Sequence, residues 1–378
     1  MIITALNKPI IGRHSTTSLR RYYNHVLLPK SVPESTVVTL SYNRRFVDSL
    51  VRAPAATATT ARRPRTTAST ANSALFSTMS RAKYVPSTLR GEPKCVLIPP
   101  GHCQFNDEFQ PARLIERIQV SPTSFVLRFQ LPDTSKPLGL STCACVLAKS
   151  EIPTIIPTIN DEKDEVNVEP VIRPYTPIST NADVGYFDLL IKNYGKQHGK
   201  LSHYLCETIH VGDDSSVQFK HIDFNVKIQV PFDSNFKHIL MLVGGTGITP
   251  MIQALHAILG DDKTNQQNVS MVYGSRTSND ILGQELIDTW SKQYSDRFNV
   301  IHVLSDEPTD GSSTWTGKRG HIDRQLLLED VAATVDDTLV LVCGPPPMYQ
   351  ALCGPRENKE LSGLLADMGY EASHVYKF

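Results

Sequence analysis

The sequence predicts an antiparallel β-barrel followed by a parallel sheet wound with helices, and two observations predict it. Apolar residues alternate with period two between residues 105 and 232. From residue 233 to 378, short apolar runs alternate with helix-length segments. Charge is also divided unevenly. Residues 1–83 hold 13 Lys/Arg against Glu34 and Asp48, a net of +11, and because the chain carries 38 residues of each sign, residues 84–378 have a net of −11.

The N-terminal segment, residues 1–83, has the composition of a transit peptide. It is rich in Arg, Ser, Thr and Ala, poor in acids, and contains a low-complexity run at 53–62. The pair Arg20 and Arg21 favours a mitochondrial address, and a plastid remains the alternative. An unspecific disordered tail is the other interpretation.

Composition excludes several classes of protein. A formal net charge of zero gives no general basic field for nucleic acid, so no nucleic-acid partner is expected. No apolar run reaches the roughly 18–20 residues of a membrane span. The seven cysteines are odd in number and form no C-x-x-C pair, which indicates free thiols and no metal site. We expect a monomer.

The barrel half is predicted at residues 105–232, after a linker at 84–104. Phe125, Leu127 and Phe129 alternate with their neighbours, and the run beginning at Phe187 does the same. Between Ala148 and Val171, a Pro-rich and then charged stretch predicts an exposed loop.

The wound half is predicted at residues 233–378. Its strand candidates are 239–243, 269–273, 300–304 and 339–343, and its helix candidates are 250–259, 281–292, 323–330 and 361–368. This alternation predicts a Rossmann-like parallel sheet, which binds nucleotides at the carboxyl ends of its strands.

Two motifs follow strands of that sheet. Gly244–Met251 opens a helix, and its glycines and free N–H groups suit a pyrophosphate, although a tight structural turn would look similar. Val342–Met348 ends a strand with three prolines, beside which a ligand ring could lie. By itself, this second turn has a structural interpretation too.

A third motif lies in the barrel half. Arg173 can bind a phosphate bidentately, Tyr175 can lie against an aromatic ring, and the Thr176 hydroxyl can donate to a ring nitrogen. The segments Leu190–Tyr194 and Gly199–Ser202 follow, the second offering N–H groups and a hydroxyl to a phosphate.

Together, in this order and spacing, these motifs resemble the NADH–cytochrome b5 reductase family of the ferredoxin–NADP reductase superfamily, over about residues 105–378. The resemblance implies a Greek-key barrel domain that binds FAD and a wound domain that binds NADH. It implies hydride transfer from NADH to flavin N5, followed by single electrons to a cytochrome b5-type haem protein.

The resemblance also implies roles for individual residues. Thr176 would lie near flavin N5 and Cys343 beside the nicotinamide, as the two catalytic positions, with no side-chain nucleophile. The implied cofactor-binding residues, which include these two, are Arg173, Pro174, Tyr175, Thr176, Leu190, Lys192, Tyr194, Lys200, Leu201, Ser202, Gly245, Thr246, Gly247, Thr249, Asp280, Cys343, Gly344, Pro345 and Met348.

Asp280 matches the family acid that favours NADH, since a carboxylate repels a 2′-phosphate, whereas Arg276 just upstream could grip that phosphate instead. The chain departs from the family at Leu140–Val146, where many members have Gly-Gln-His or Gly-Gln-Tyr before the flavin motif. Cys143 and Cys145 could form a redox or metal site, but a C-x-C on a strand places both thiols on one face, which favours packing as their role. Other open functions are a flavin reductase for ferredoxin, a quinone or cytochrome c assembly, and a non-catalytic flavin-bound assembly factor.

Overall fold

The computed structural model describes residues 89–99, 101–156, 165–222, 236–261, 267–331 and 334–378. The predicted address at 1–83 lies outside these ranges, and so does the last part of the predicted barrel, 223–232. The described residues belong to one body, Met79–Phe378.

The first lobe consists of antiparallel strands, as the period-two alternation predicts. Its strands are β1 (Gln110–Pro111), β2 (Leu114–Ser121), β3 (Ser124–Gln130), β4 (Val146–Ile156), β5 (Glu165–Tyr175), β6 (Tyr186–Lys192) and β7 (Gln218–Lys220). They form a sheet ordered β1-β7-β4-β5 and a sheet ordered β2-β3-β6. Four phenylalanines, Phe105, Phe129, Phe187 and Phe219, pack ring against ring in the core. Burial of these rings stabilises the lobe because apolar area leaves water.

Short helical turns connect β6 to β7. They are α1 (Gly195–His198), α2 (Lys200–His203) and a π-helical turn, Tyr204–Thr208. Leu201 and Leu205 anchor them in the barrel core, so this connection lies directly on the barrel.

The predicted loop between Ala148 and Val171 is mostly strand, which corrects the sequence expectation. β4 continues to Ile156 and β5 starts at Glu165, so the two strands pair over 11 positions. The prolines suggested a loop, but among the described residues β4 pairs with β7 at Leu147–Lys149 and no further along. Past Lys149, the side of β4 that faces away from β5 has no paired strand among the described residues. Pro153, which lacks an N–H, is tolerated at such an edge. Only 157–164 of the predicted loop lie outside the described residues.

The second lobe is a parallel sheet with helices on both faces, as predicted. Its strands β8 (His238–Gly244), β9 (Asn268–Ser275), β10 (Phe298–Leu304), β11 (Lys318–Arg319), β12 (Thr338–Cys343) and β13 (Val375–Lys377) have the order β11-β10-β9-β8-β12-β13. Its helices are α3 (Ile248–Leu259), α4 (Gln284–Gln293), α5 (Arg324–Asp330), α6 (Pro346–Leu352) and α7 (Leu364–Asp367). Helices α3 and α4 cover one face, and α5, α6 and α7 cover the other.

Two predicted helices are shorter than expected, and a glycine explains each. The segment 281–292 becomes helical only at Gln284, after Gly283 with φ of +68°. The segment 361–368 is helical only at Leu364–Asp367, after Gly363 with φ of +75°. A left-handed residue cannot belong to a right-handed helix, so each helix begins after its glycine.

Residues 89–99, within the predicted linker, lie along the second lobe. Leu89 is buried in its core. The Gly91 carbonyl accepts from the Trp290 indole at 2.8 Å, and the Lys94 N–H donates to Nδ1 of His256 at 3.0 Å. The chain is therefore fastened to the second lobe before it enters the first.

Candidate active site

The two motifs of the parallel sheet interlock at the carboxyl ends of β8 and β12. A Cβ on Gly247 would lie 2.1 Å from the Cys343 carbonyl oxygen, and one on Gly244 would lie 2.7 Å from Cδ of Pro345. The glycines are thus required by the neighbouring turn as well as by any ligand. Gly245 differs, because its φ is +53° and a Cβ there would meet nothing within 4 Å. The space beside the Gly245 Cα is therefore open to a ligand.

Helix α3 starts directly after this turn. No side chain caps its first turn, although the Ile248 N–H donates to the Gly245 and Thr246 carbonyls. The positive end of the helix dipole at this point favours an anion. The Tyr273 hydroxyl donates to the Gly245 carbonyl at 3.0 Å and holds the turn in place. Thr249, in the first turn of the helix, is buried. The geometry suits the pyrophosphate of a dinucleotide.

Gln253, one turn further along α3, connects the two lobes. Its Nε2 donates to the carbonyls of Pro177 and Ser179, both at 2.7 Å, and its Oε1 accepts from the Cys143 N–H at 3.2 Å. The side chain is only 8% exposed. Pro177 directly follows the Arg173–Thr176 motif, so Gln253 brings the barrel motif to the glycine turn. Gln253 could not be identified from the sequence, since a glutamine inside a helix carries no local signal of a partner 76 residues away.

The Arg173–Thr176 motif lies at the end of β5. The Arg173 side chain is exposed and its Nη1 donates to the Ile172 carbonyl at 2.7 Å. Tyr175 packs partly against the barrel core, and burial raises the pKa of its hydroxyl. Thr176 is half-buried beside the lobe boundary. The exposed guanidinium fits a phosphate, and the neutral phenol fits an uncharged ring edge or a sugar hydroxyl.

The predicted phosphate loop is partly engaged with its own chain. Lys200 Nζ lies 2.8 Å from a Glu169 carboxylate oxygen on β5. The Ser202 hydroxyl donates to the Gly199 carbonyl at 3.1 Å, and a Cβ on Gly199 would lie 2.3 Å from that hydroxyl oxygen. Leu201 is buried in the barrel core. The ammonium of Lys200 has three N–H donors, so it can contact a phosphate as well as Glu169.

Three further predicted residues lie on or after β6. Leu190 is buried in a cluster that includes Met251 of α3. Its side chain is apolar, so only its backbone N–H and C=O could bond to a ligand. Lys192 Nζ lies 3.8 Å from an Asp280 carboxylate oxygen across the lobe boundary. Tyr194 is 54% exposed. The first two thus face the second lobe, and the Tyr194 ring is available to a ligand.

Cys343 lies at the end of β12, against the glycine turn. Burial raises the pKa of its thiol to about 11. The thiol is therefore protonated at neutral pH, so it could be a small neutral neighbour to a ligand ring and is not a thiolate nucleophile. Gly344 also lies against the turn, since a Cβ on it would lie 3.3 Å from the Gly244 nitrogen and 2.5 Å from Sδ of Met348. Pro345 and Met348 complete this wall.

Cys143 and Cys145 are not on a strand, which corrects the expectation of a C-x-C pair on one strand face. They precede β4, and Cys143 has φ of +63°, a conformation that favours glycine. The Cys143 thiol donates to the Pro250 carbonyl at 3.2 Å, and burial raises its pKa. Packing at the lobe boundary accounts for Cys143. Within the described ranges, no group of His, Cys, Asp or Glu side chains is arranged to hold a metal.

The residues present fit two dinucleotides that meet at the lobe boundary. On the second lobe, an open glycine turn and an uncapped helix start suit one pyrophosphate. On the barrel, the exposed Arg173 and the Lys200 loop suit a second. Gln253 joins the two halves of the site. Through Gln253, the helix that follows the glycine turn is bonded to Pro177, the residue directly after the barrel motif.

Family comparisons agree with this division. An oxidoreductase FAD-binding domain matches residues 111–224, and an oxidoreductase NAD-binding domain matches residues 241–354. NADH-cytochrome b5 reductase 2 of Aspergillus fumigatus is 33% identical over 272 residues, which cover 70% of this chain and 76% of that protein. The Scheffersomyces stipitis protein of the same name is 30% identical over 276 residues, covering 72% and 84%.

Solved structures show the same fold. The cytochrome b5 reductase domain of Ulva prolifera nitrate reductase superposes with a TM-score of 0.57 at 27% identity, covering 73% of this chain and all of that domain. The CS-b5R domains of human Ncb5or, in the NAD+ form, superpose with a TM-score of 0.53 at 21% identity, covering 71% and 69%. In the part of the chain that the structure describes, no helix is both long and apolar enough to cross a membrane.

Proposed function

The chain belongs to the NADH–cytochrome b5 reductase family, and we propose that it oxidises NADH and delivers the electrons singly to a cytochrome b5-type haem protein. It has an FAD-binding and an NAD-binding domain, so FAD and NADH are its cofactors. The observation that carries the proposal is the Gln253 connection, because it brings the barrel motif to the glycine turn.

The chemistry comes from the cofactors, since FAD accepts two electrons as a hydride and can release them one at a time. The chain's own contribution is placement. Arg173 and Lys200 would bind the FAD phosphates, and Tyr175 and Tyr194 would lie along its sugar and rings. The turn at Gly245–Gly247 and the start of α3 would bind the NADH pyrophosphate.

Thr176 and Thr249 are the proposed positioning hydroxyls at the boundary. Thr176 is one residue before Pro177, and Thr249 is one turn before Gln253, so the two hydrogen bonds from Gln253 fix the segments that carry both threonines. Cys343 would lie beside the nicotinamide as a neutral group. The protein thus aligns two rings and transfers no proton through a side chain.

The proposed acceptor is a cytochrome b5-type haem protein, and basic residues near the FAD site, Lys196 among them, are proposed to dock it. Lys196 is exposed on α1, close in sequence to the loop that would hold FAD. An acidic haem protein would meet these charges near the cofactor, so reduction should slow as salt is raised. We propose that the chain works as a monomer, which light scattering of the purified protein checks.

One experiment tests the proposal against its alternatives. The full-length chain is loaded with FAD and mixed with NADH, with ferricyanide, cytochrome b5, a ferredoxin or a quinone as the acceptor. Fast reduction of cytochrome b5 that weakens with salt is expected. Ferricyanide reduction without cytochrome b5 reduction would point to another acceptor, and an FAD-loaded chain that NADH does not reduce would be a scaffold.

For localisation, we propose a mitochondrial address in residues 1–83, supported by their net charge of +11 and their Arg, Ser and Thr content. A fusion of these residues to a fluorescent protein should enter mitochondria. Replacing Arg20 and Arg21 with glutamate should reduce import, and accumulation in a plastid would contradict the proposal.

A further inference from the structure

The segment after β10 is fastened to the turn after β9, and it adds two carboxylates there. Asp306 Oδ2 lies 2.6 Å from Nε of Arg276. The Glu307 carboxylate accepts from the Ser278 N–H at 2.7 Å and from the Ser278 hydroxyl at 3.0 Å. With Asp280, three carboxylates therefore lie at the carboxyl ends of two neighbouring strands.

This edge is where the adenosine half of NADH would lie, an inference that depends on the proposed function. The glycine turn follows β8, and β12 and β9 flank β8 on opposite sides. With the pyrophosphate on the turn and the nicotinamide beside Cys343 of β12, the other half of the dinucleotide extends toward β9 and β10. Its ribose would then lie among the carboxylates described above.

Two guanidinium groups lie at this edge, and either fork could bind a 2′-phosphate. Arg319 donates to the Pro308 and Trp315 carbonyls, whereas Arg276 bonds to a carboxylate. The Arg276 guanidinium donates a hydrogen bond to the Asp306 carboxylate. This bond lowers the pKa of Asp306 and raises the pKa of Arg276, so both groups are charged at neutral pH.

Asp280 acts on Arg276 through its charge alone; it accepts from the Thr277 hydroxyl at 2.9 Å and faces Lys192. The carboxylate that holds Arg276 by a hydrogen bond is therefore Asp306, not Asp280.

We propose that Asp306 is a specificity-determining residue that favours NADH over NADPH by holding Arg276 and adding its own negative charge to the ribose site. Removing Asp306 frees the guanidinium and removes a charge that repels phosphate. Both effects act on the 2′-phosphate and neither acts on an unmodified ribose, so binding of NADPH should change far more than binding of NADH.

The test is a double-mutant cycle read by calorimetric titration of the FAD-loaded full chain with 2′,5′-ADP and with 5′-ADP. Asp306→Ala should raise the affinity for 2′,5′-ADP relative to 5′-ADP about tenfold, the value of one charge-assisted hydrogen bond. Adding Arg276→Ala should return that ratio to within about threefold of the native value, because the phosphate then lacks its partner.

Asp337→Ala is the matched control. It removes the carboxylate of another exposed ion pair, which Asp337 forms with Lys237 at 3.2 Å. This pair lies at the amino ends of the strands, so the variant should leave the ratio of the 2′,5′-ADP and 5′-ADP affinities unchanged. The proposal is overturned if Asp306→Ala changes the ratio less than about twofold or if the double variant keeps the whole gain. NADH–ferricyanide turnover of the native chain is measured in parallel. Its absence would refute the proposed function, while the titrations would still decide the role of Asp306.

Discussion

Replacing Gln253 with leucine tests how the two lobes are held together. Leucine has a similar size but leaves the Pro177 and Ser179 carbonyls and the Cys143 N–H without their partner. Each unpaired buried group costs about 1–3 kcal/mol, and with partial relaxation we expect a total loss of about 3 kcal/mol in the free energy of unfolding. Urea denaturation of the FAD-loaded chain measures this loss as a lower midpoint.

The same variant should lower kcat for NADH–ferricyanide turnover by about tenfold or more, because small misplacements of reacting groups are costly. FAD should stay bound, since the Gln253 side chain bonds to the chain itself and not to the residues proposed to hold FAD. Gln350→Leu, at an exposed glutamine of α6, is the control and should change neither quantity. A loss below about 1 kcal/mol together with native kcat would refute the reasoning.

Three further predictions concern other parts of the body. His256 is buried and accepts a hydrogen bond from the Lys94 N–H, and burial lowers its pKa from 6.5 to about 4. Between these two pH values the unfolded chain binds a proton that the folded chain does not. The free energy of unfolding should therefore fall by about 3 kcal/mol as the pH drops from 7 to 4. Urea titrations at both pH values check this, and the pH dependence of His256→Asn should be shallower by that amount; equal slopes would contradict it. Gly247→Ala places a Cβ 2.1 Å from the Cys343 carbonyl oxygen, so the turn must move, stability should fall by about 1–3 kcal/mol and the KM for NADH should rise. Gly274→Ala, where a Cβ meets nothing nearer than 3.4 Å, is its control, and equal effects in both variants would argue against the interlocked turns. Arg173→Ala should weaken FAD binding about tenfold or more without unfolding the barrel, because the side chain is exposed. Gel filtration measures how much FAD stays bound, and Arg113→Ala, at another exposed arginine of the first lobe, is the control. Equal retention of FAD by the two variants would exclude a phosphate-binding role for Arg173.

The parallel sheet could be predicted because its signals are local. An apolar run that ends in Gly244-Gly245 predicts both β8 and the turn after it, and Pro250 followed by apolar residues up to Gly260 predicts α3. The structure has these elements within two residues of the predicted bounds. The interlocking of Gly247 with Cys343 could not be predicted from either motif, since it depends on β8 and β12 being neighbours in the sheet.

Other features depend on contacts distant in the sequence. Asp306 is an ordinary loop acid until the pairing of β9 with β10 places it against Arg276, 30 residues earlier. The strands beyond Ser150 were hidden by their prolines, which a free strand edge tolerates. Cys143 lies in a left-handed turn, and no residue-type preference would place a cysteine there.

The most direct test of the central claim is anaerobic stopped-flow mixing of the FAD-loaded full-length chain with NADH. If the barrel and the wound lobe together align the two cofactors, the visible absorbance of oxidised FAD should bleach in a single fast phase whose rate saturates with NADH. Cytochrome b5 added afterwards should become reduced as the absorbance returns. A chain that binds FAD and NADH but shows no bleaching would contradict the account.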